Sequence, residues 1–305
     1  MGAIVGVMAA EHIAAGLVEN NQLVGPMRVF PEDDRHGDSL TAMPAPQLVE
    51  KIIEQIHDVR QGSDLDAVGV GFPGMVSDEE IHESPNLPQI KGQNLGVTLQ
   101  YLLEQSGIRC HVHIINDADA IAAGIAATRG HLDKIIRVWF LGTGIGFGRY
   151  PQTTAYGEGG HSVVTLDPKE NYCSCGGIGH LEGIMGHRAM RLRFLDLEPE
   201  EVFEEAAQGD GRCVAFVELW HRALAAATAT SIHYVGPGKF YVTGPNAKFV
   251  QPNLMQVYLH EMVKMSSLQG SALEVVATGD EIAIVGAAVS AYREIMGPEY
   301  TIRPK

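Results

Sequence analysis

Residues 171–183 read NYCSCGGIGHLEG. Cys173 and Cys175 flank one serine, a glycine-rich turn follows, and His180 stands five residues beyond Cys175. His161 lies twelve residues before Cys173, at the end of Glu-Gly-Gly-His. A tight turn can aim both thiolates at one ion, and thiolate with imidazole is the donor set that tetrahedral zinc prefers. Cys173, Cys175, His180 and His161 would fill all four positions. With no coordination site left for a substrate, such a metal is structural. Spacing leaves an alternative open: two reduced cysteines in a loop, beside two of the chain's 13 histidines. Glu158 and Glu182 flank these ligands. Carboxylates held at fixed spacing can bind the vicinal hydroxyls of a sugar, or they can be solvated surface charge.

Three further motifs could do chemistry. GTGIGFG (142–148) follows the apolar run RVWFL. Alternating glycines there expose backbone N–H groups beside the Thr143 hydroxyl, which suits a phosphate. No Gly-Lys-Ser/Thr follows, so it is not a P-loop, and a glycine hairpin without ligand is the other reading. IINDADA (114–120) ends a buried strand on Asn116 and Asp117. An Asp at the carboxyl end of a strand can act as general base, or Asn or Asp can simply cap the next helix. GVGFPG (69–74) matches a dinucleotide pattern, but Pro73 intervenes and MVSDEEIHESPNLP follows in place of an apolar helix. A turn that brings backbone close to a small ligand, or a plain turn, fits better.

The elements that must position these motifs are legible in outline. AIVGVMAA and HIAAGLVE read as two strands, with NNQLVG as a turn after them. Leu48, Val49, Ile52, Ile53, Ile56 and Val59 recur at helical spacing, between Pro46 and Gly62. DAVGVGF and RCHVHIIND read as buried strands, LGVTLQYLLEQSG as a helix, and ADAIAAGIAATRG as a small-residue helix starting just after Asp117. The second half holds long helices near 212–233, 253–266 and 281–296, with the strand GKFYVTG between the first two. Strands alternate with helices throughout, the pattern of an α/β protein.

Bulk composition excludes several classes. The chain has 305 residues, room for two ordinary domains, and is 45% hydrophobic and 19% charged. Net charge is -15, without a basic cluster, so neither nucleic acid nor an anionic membrane is an expected partner. The apolar N-terminus lacks a basic start and is interrupted by Glu11 and His12, unlike a signal peptide. Four cysteines do not make a disulfide scaffold, and a cytoplasmic protein is expected.

Taken in order, GVGFPGMV, SPNLP, INDADAIAAG, FLGTGIGFG, EGGH and CSCGGIGHLEG resemble the ROK family of repressors, open reading frames and kinases. The likeness spans about residues 66–186 and is looser on either side. It implies an actin- and hexokinase-like (ribonuclease H-like) α/β fold with two domains around a central cleft. These would be 1–117, completed by the C-terminal helix 285–305, and 118–284, carrying the zinc loop 161–182. It implies Asp117 as catalytic base, with Asn86, Asn116, Glu158, His161 and Glu182 contacting sugar. It implies a structural zinc on His161, Cys173, Cys175 and His180, the last departing from the family's usual cysteine. Gly142, Thr143, Gly144, Gly146 and Gly244 would contact Mg-ATP, and a homodimer is expected because family members commonly form one.

One departure bears on activity. Family kinases open with Asp-x-Gly-Gly-Thr, the first phosphate loop. Here Val7 stands at the Asp position, Ala9 and Ala10 at the glycines, and Glu11 at the Thr. Two unit charges about 4 Å apart repel by about 4 kcal/mol at an effective dielectric of about 20. Glu11 beside a γ-phosphate could therefore cost orders of magnitude in rate, since about 1.4 kcal/mol is tenfold. GPN (244–246), where kinases carry a glycine-rich adenosine turn, is a milder departure. Two functions are expected in consequence: a glucokinase-like kinase of a hexose or N-acetylhexosamine, or a sugar sensor that has lost phosphoryl transfer. Because the chain starts directly on a core strand, a DNA-binding regulator of the family type is not expected.

Overall fold

A computed structural model of the chain describes residues 3–32, 40–152 and 157–297. The described residues divide into two compact units. Those of Met1–Ile136, Gly148–Gly157 and Thr278–Lys305 form the first, and those of Arg137–Phe147 and Glu158–Ala277 the second.

In the first unit, β1 (Ile4–Ala9) and β2 (Ile13–Glu19) pair antiparallel across Ala10, Glu11 and His12, with Val7 opposite Ala15. The expected turn NNQLVG is shorter than the sequence reading. Only Asn20 and Asn21 turn, at φ 52° and 63°, the left-handed geometry of a two-residue hairpin. Gln22–Phe30 continues as a third strand, β3. Gly25 and Pro26 disguise it, but β3 is an edge strand, where a sheet tolerates proline.

Helix α1 (Ala45–Arg60) buries Leu48, Val49, Ile52, Ile56 and Val59, the stripe its periodicity predicts. β4 (Ala67–Phe72) follows. The stretch after GFPG, expected as polar and broken, folds into β5 (Met75–Ser77), β6 (Glu80–Glu83) and β7 (Gln93–Asn94), a small antiparallel sheet. Each of these strands is too short to show a period; Val76 and Ile81 supply its buried side. Then come α2 (Leu95–Gln105), β8 (His111–Asn116) and α3 (Asp117–Thr128). The main sheet has the order β3-β2-β1-β4-β8, with β1, β4 and β8 parallel.

The C-terminal helix Asp280–Met296 packs on this sheet and on α3. The backbones nearly touch: a Cβ at Gly124 would overlap the Ile282 carbonyl, and one at Gly286 the Ala120 carbonyl. This close approach explains the small residues of ADAIAAGIAAT and VGAAVSA. It also holds α3 in the first unit, so the division lies beyond α3 and not at residue 117.

In the second unit, β9 (Ile136–Leu141), β10 (Ile145–Tyr150), β11 (Lys239–Thr243) and β12 (Ala272–Val275) form a sheet of order β10-β9-β11-β12. β9 starts, and β10 ends, within the first unit's residues. The helices are α4 (Leu181–Met185), α5 (His187–Arg193), α6 (Pro199–Gln208), α7 (Gly211–Val235) and α8 (Pro252–Met262). α8 stops short of the expected residue 266. Trp139 and Trp220 anchor the core, and the Trp139 Nε1–H donates to Thr228 Oγ1 at 3.0 Å. No helix among the described residues is long and apolar enough to cross a membrane.

Asp119, in the first turn of α3, accepts the Arg149 N–H at 2.6 Å. Burial pushes its carboxyl up to about 6, against that bond and the Arg149 charge. The folded chain thus holds this proton more tightly than the unfolded chain, where an Asp titrates near about 3.9. The group's contribution to stability is complete below about pH 4 and is lost as pH rises through about 6. Asparagine keeps the acceptor and drops the charge. Asp119→Asn is expected to stabilise the fold at pH 7.5 by about 1–3 kcal/mol in urea unfolding, with no gain near pH 4. A loss of stability at pH 7.5 would contradict this account of Asp119.

Candidate functional site

The cysteine loop is laced to the segment before it. Val164 N–H donates to Gly179 O at 2.8 Å, Leu181 N–H to Ser162 O at 2.9 Å, and Gly179 N–H to Glu170 O at 2.6 Å. Glu170 is buried and paired with Arg193, which lies 4.5 Å over the Tyr172 ring. Within this frame the expected metal ligands converge. Cys173 Sγ and Cys175 Sγ are 3.4 Å apart, and Cys175 Sγ is 3.2 Å from His180 Nδ1. The His161 and His180 rings stack at 5.3 Å. Donor atoms of His161, Cys175 and His180 lie within 4.8 Å of one another, as do those of His161, Cys173 and Glu182. Zinc bonds of about 2.3 Å to sulfur and about 2.0 Å to nitrogen place tetrahedral donors about 3.5 Å apart. His161, Cys175 and His180 are therefore spaced for one tetrahedral ion, with Cys173 Sγ 3.4 Å from Cys175 Sγ as the remaining candidate donor. Burial pushes the Cys173 thiol up to about 12, and a bound cation acts in the opposite sense.

Glu182 joins this loop to the glycine turn. Its Oε1 accepts from Ser174 Oγ at 2.9 Å and faces Cys173 Sγ at 3.6 Å, while Oε2 accepts the Ile145 N–H at 3.2 Å. The turn itself is held from two more sides. Gly142 O accepts the His187 N–H at 3.0 Å and Asn246 Nδ2 at 3.3 Å. Asn246 is buried just after Gly244, whose φ is 93°. Gly142 N–H donates to Gly144 O at 3.0 Å, Gly244 packs against the Leu141 backbone, and Thr143 is exposed, while Gly146 follows in β10. His187 and Asn246 escaped the sequence reading; the unusual GPN was the only hint of the second. Glu158 and His161 are fixed together by one helical turn, in which the His161 N–H donates to Glu158 O at 3.0 Å. Glu158 keeps an exposed surface, yet neighbouring atoms desolvate its carboxyl. With the Glu182 charge, and against His161, they hold it above the usual range.

In the first unit, Asn116 is the cap of α3, not Asp117. Asn116 Oδ1 accepts from Ala118 N at 2.9 Å and Asp119 N at 3.1 Å, and its Nδ2 donates to Gly74 O at 2.8 Å. The GFPG turn is pinned again where Ser84 Oγ donates to Pro73 O at 2.7 Å. Asp117 therefore begins the helix half-buried, its Oδ1 2.8 Å from the Ala118 N–H, and the cap reading does not account for it. Asn86 is exposed beyond Ser84, and its carbonyl accepts from Thr41 Oγ1 at 3.3 Å.

The strand end before the first loop is closed to solvent. Val7 and Ala9 are fully buried in the hydrophobic core. Glu11 is exposed, and His12 Nε2 lies 2.8 Å from Asp280 Oδ2. Val7, which the resemblance sets at the Asp position, is an apolar core side chain.

A Cβ at Gly144 would stand 2.6 Å from Glu182 Oε2. Gly144→Ala is expected to displace that carboxylate and lower stability by about 1–3 kcal/mol in thermal unfolding, the usual cost of overpacking. Gly211→Ala, where a Cβ meets open space, is expected to cost nothing. Equal stabilities of the two variants would remove Glu182 from its linking role.

The family model described as "ROK family" matches residues 13–294. The chain is 27% identical over 256 residues to a glucokinase of Pyrobaculum calidifontis, covering 79% of this chain and 83% of that one. It is 26% identical over 205 residues to the N-acetylglucosamine repressor of Escherichia coli O6:H1, covering 61% of this chain and 50% of that protein. Among solved structures, the ROK hexokinase from Thermus thermophilus superposes with a TM-score of 0.75 at 24% identity, over 96% of this chain and 99% of that one. At that identity the likeness speaks for the fold alone, which is α/β and actin- and hexokinase-like.

Proposed function

The chain belongs to the ROK family, and within it we propose that this protein is an ATP-dependent sugar kinase acting on a hexose or an N-acetylhexosamine. The observation that carries the reading is the Glu182 carboxylate, which joins the cysteine-histidine loop to the GTGIG turn. A structural metal site and a phosphate-type turn bound to each other in this way suit a protein that handles both a sugar and a nucleotide. The likeness to a glucokinase over 79% of the chain supports the same assignment.

The roles follow from the chemistry of each side chain. Asp117 accepts the proton of the attacking sugar hydroxyl as its oxygen bonds to the γ-phosphorus and ADP leaves. Asn116 spends Oδ1 on the helix cap and one amide hydrogen on Gly74, so a single N–H remains for the sugar. Glu158, His161, Glu182 and Asn86 are the other hydroxyl partners. His161, Cys173, Cys175 and His180 would hold zinc, which when bound fixes the loop and takes no part in bond breaking. Backbone N–H groups of the 142–146 turn, with Thr143, would meet the phosphates of Mg-ATP, and Gly244 would pass close to the nucleoside.

A second reading has its own observation. Val7 and Ala9 are buried in apolar core where the family's kinases present a phosphate loop, and Glu11 adds negative charge. A sugar sensor without phosphoryl transfer would have this pattern, and the likeness to a repressor agrees with it.

Sugar-dependent ADP release with Mg-ATP, over a panel of hexoses and N-acetylhexosamines, separates the two. Turnover is expected on at least one sugar. Asp117→Asn is expected to lower kcat by about a hundredfold or more, the scale of a lost general base, and to keep sugar affinity within a few fold. Folded, metal-loaded protein that binds a sugar and releases no ADP would establish the sensor instead.

A further inference from the structure

A second cluster of metal-ligating side chains lies in the first unit, built from Glu79, His111 and His113. β8, which carries both histidines, is the edge of the five-stranded sheet. Strand alternation sets His111 and His113 on one face, opposite Val112 and Ile114, which enter the hydrophobic core. Their neighbours across β4 are Ala67 and Gly69, so the imidazoles lean on no large side chain there. His113 is only 9% exposed.

Glu79 comes from the turn between β5 and β6 at φ 63°, left-handed backbone that a glutamate rarely adopts. That turn brings its carboxylate to the open edge of β8. Oε2 accepts the Ile114 N–H at 2.6 Å, and Oε1 lies 3.0 Å from His113 Nδ1. One donor atom from each of the three residues lies within 4.8 Å of the other two. His111 Nε2 is buried and makes no hydrogen bond. An edge cap made of Glu79 and His113 alone would account for neither the placement of His111 nor its unsatisfied nitrogen, since buried polar atoms are as a rule paired.

We propose that Glu79, His111 and His113 bind a divalent transition-metal ion of zinc's class, at a site separate from the cysteine loop. Two imidazoles and one carboxylate are a three-ligand set that leaves the fourth position to water. Imidazole selects against magnesium and calcium, which take oxygen ligands, and the lack of thiolate selects against copper(I). Glu79 Oε2 keeps its bond to Ile114 while Oε1 turns from His113 to the ion. Bound there, the ion clamps the 78–79 turn to the sheet edge. The proposal does not depend on the kinase reading.

Cobalt(II) titration of the metal-stripped full-length protein tests it. The cysteine loop gives a thiolate-to-cobalt charge-transfer band, whereas a site of imidazole and carboxylate gives only ligand-field bands. We expect two equivalents per chain, one of each spectral kind. His111→Gln and Glu79→Gln are each expected to abolish the equivalent without charge transfer and to leave the other unchanged. Hydrogen exchange in residues 75–83 of the unmodified protein is expected to slow on adding that equivalent, a readout that needs no variant to fold. An equivalent lacking the charge-transfer band, and lost in both variants, upholds the site even if the cysteine loop binds nothing. Absence of any such equivalent, its survival in both variants, or unchanged exchange in 75–83 would overturn the proposal.

Discussion

The carboxylate of Glu182 holds together two pieces of chain that are remote in sequence. One oxygen takes the Ile145 N–H at the end of the glycine turn, and the other takes the Ser174 hydroxyl between the two cysteines. Neither piece has regular structure of its own. A glycine turn has little intrinsic rigidity, because glycine loses more conformational freedom on folding than any other residue. A loop of ligands without an ion is equally undetermined. Charge-assisted hydrogen bonds are among the stronger and more directional contacts available to such segments. Gly144 fits this picture, since any side chain there would meet the same carboxylate.

The surrounding fold serves that joint. β9 and α7 pack through Trp139 and Thr228 and give the glycine turn a rigid base. Arg193 and Glu170 clamp the cysteine loop to α5, and α5 donates its first N–H to Gly142. The first unit works by a different constraint. Its sheet, α3 and the C-terminal helix approach so closely that Gly6, Gly69, Gly124 and Gly286 leave no room for a Cβ. That packing fixes the start of α3, and with it Asn116 and Asp117, to the end of β8.

Much of this was legible in the sequence because the signals were local. The stripe of α1, the apolar run of β9 and the ligand spacing of the cysteine loop each lie within a short window. β3 was not legible, because an edge strand with Gly25 and Pro26 carries no apolar alternation. β5 to β7 are too short for any period to show. The domain division was placed too early because the sequence does not display the contact of α3 with a helix more than 150 residues away. For the same reason Glu79 and His113 passed unnoticed: strand pairing and an unusual turn bring them together, not spacing. Asp117 is the opposite case. Its sequence context permitted either a cap or a base, and the structure gives the cap to Asn116.

In the proposed kinase, a metal-organised loop would set Glu158, His161 and Glu182 to read a sugar. Calorimetric titration with the panel of hexoses and N-acetylhexosamines, on metal-loaded, metal-stripped and reloaded protein, tests this most directly. The account predicts one sugar bound per chain when loaded, loss of binding on stripping with the far-ultraviolet circular dichroism retained, and recovery on reloading with zinc. Unchanged sugar affinity in stripped, folded protein would contradict it.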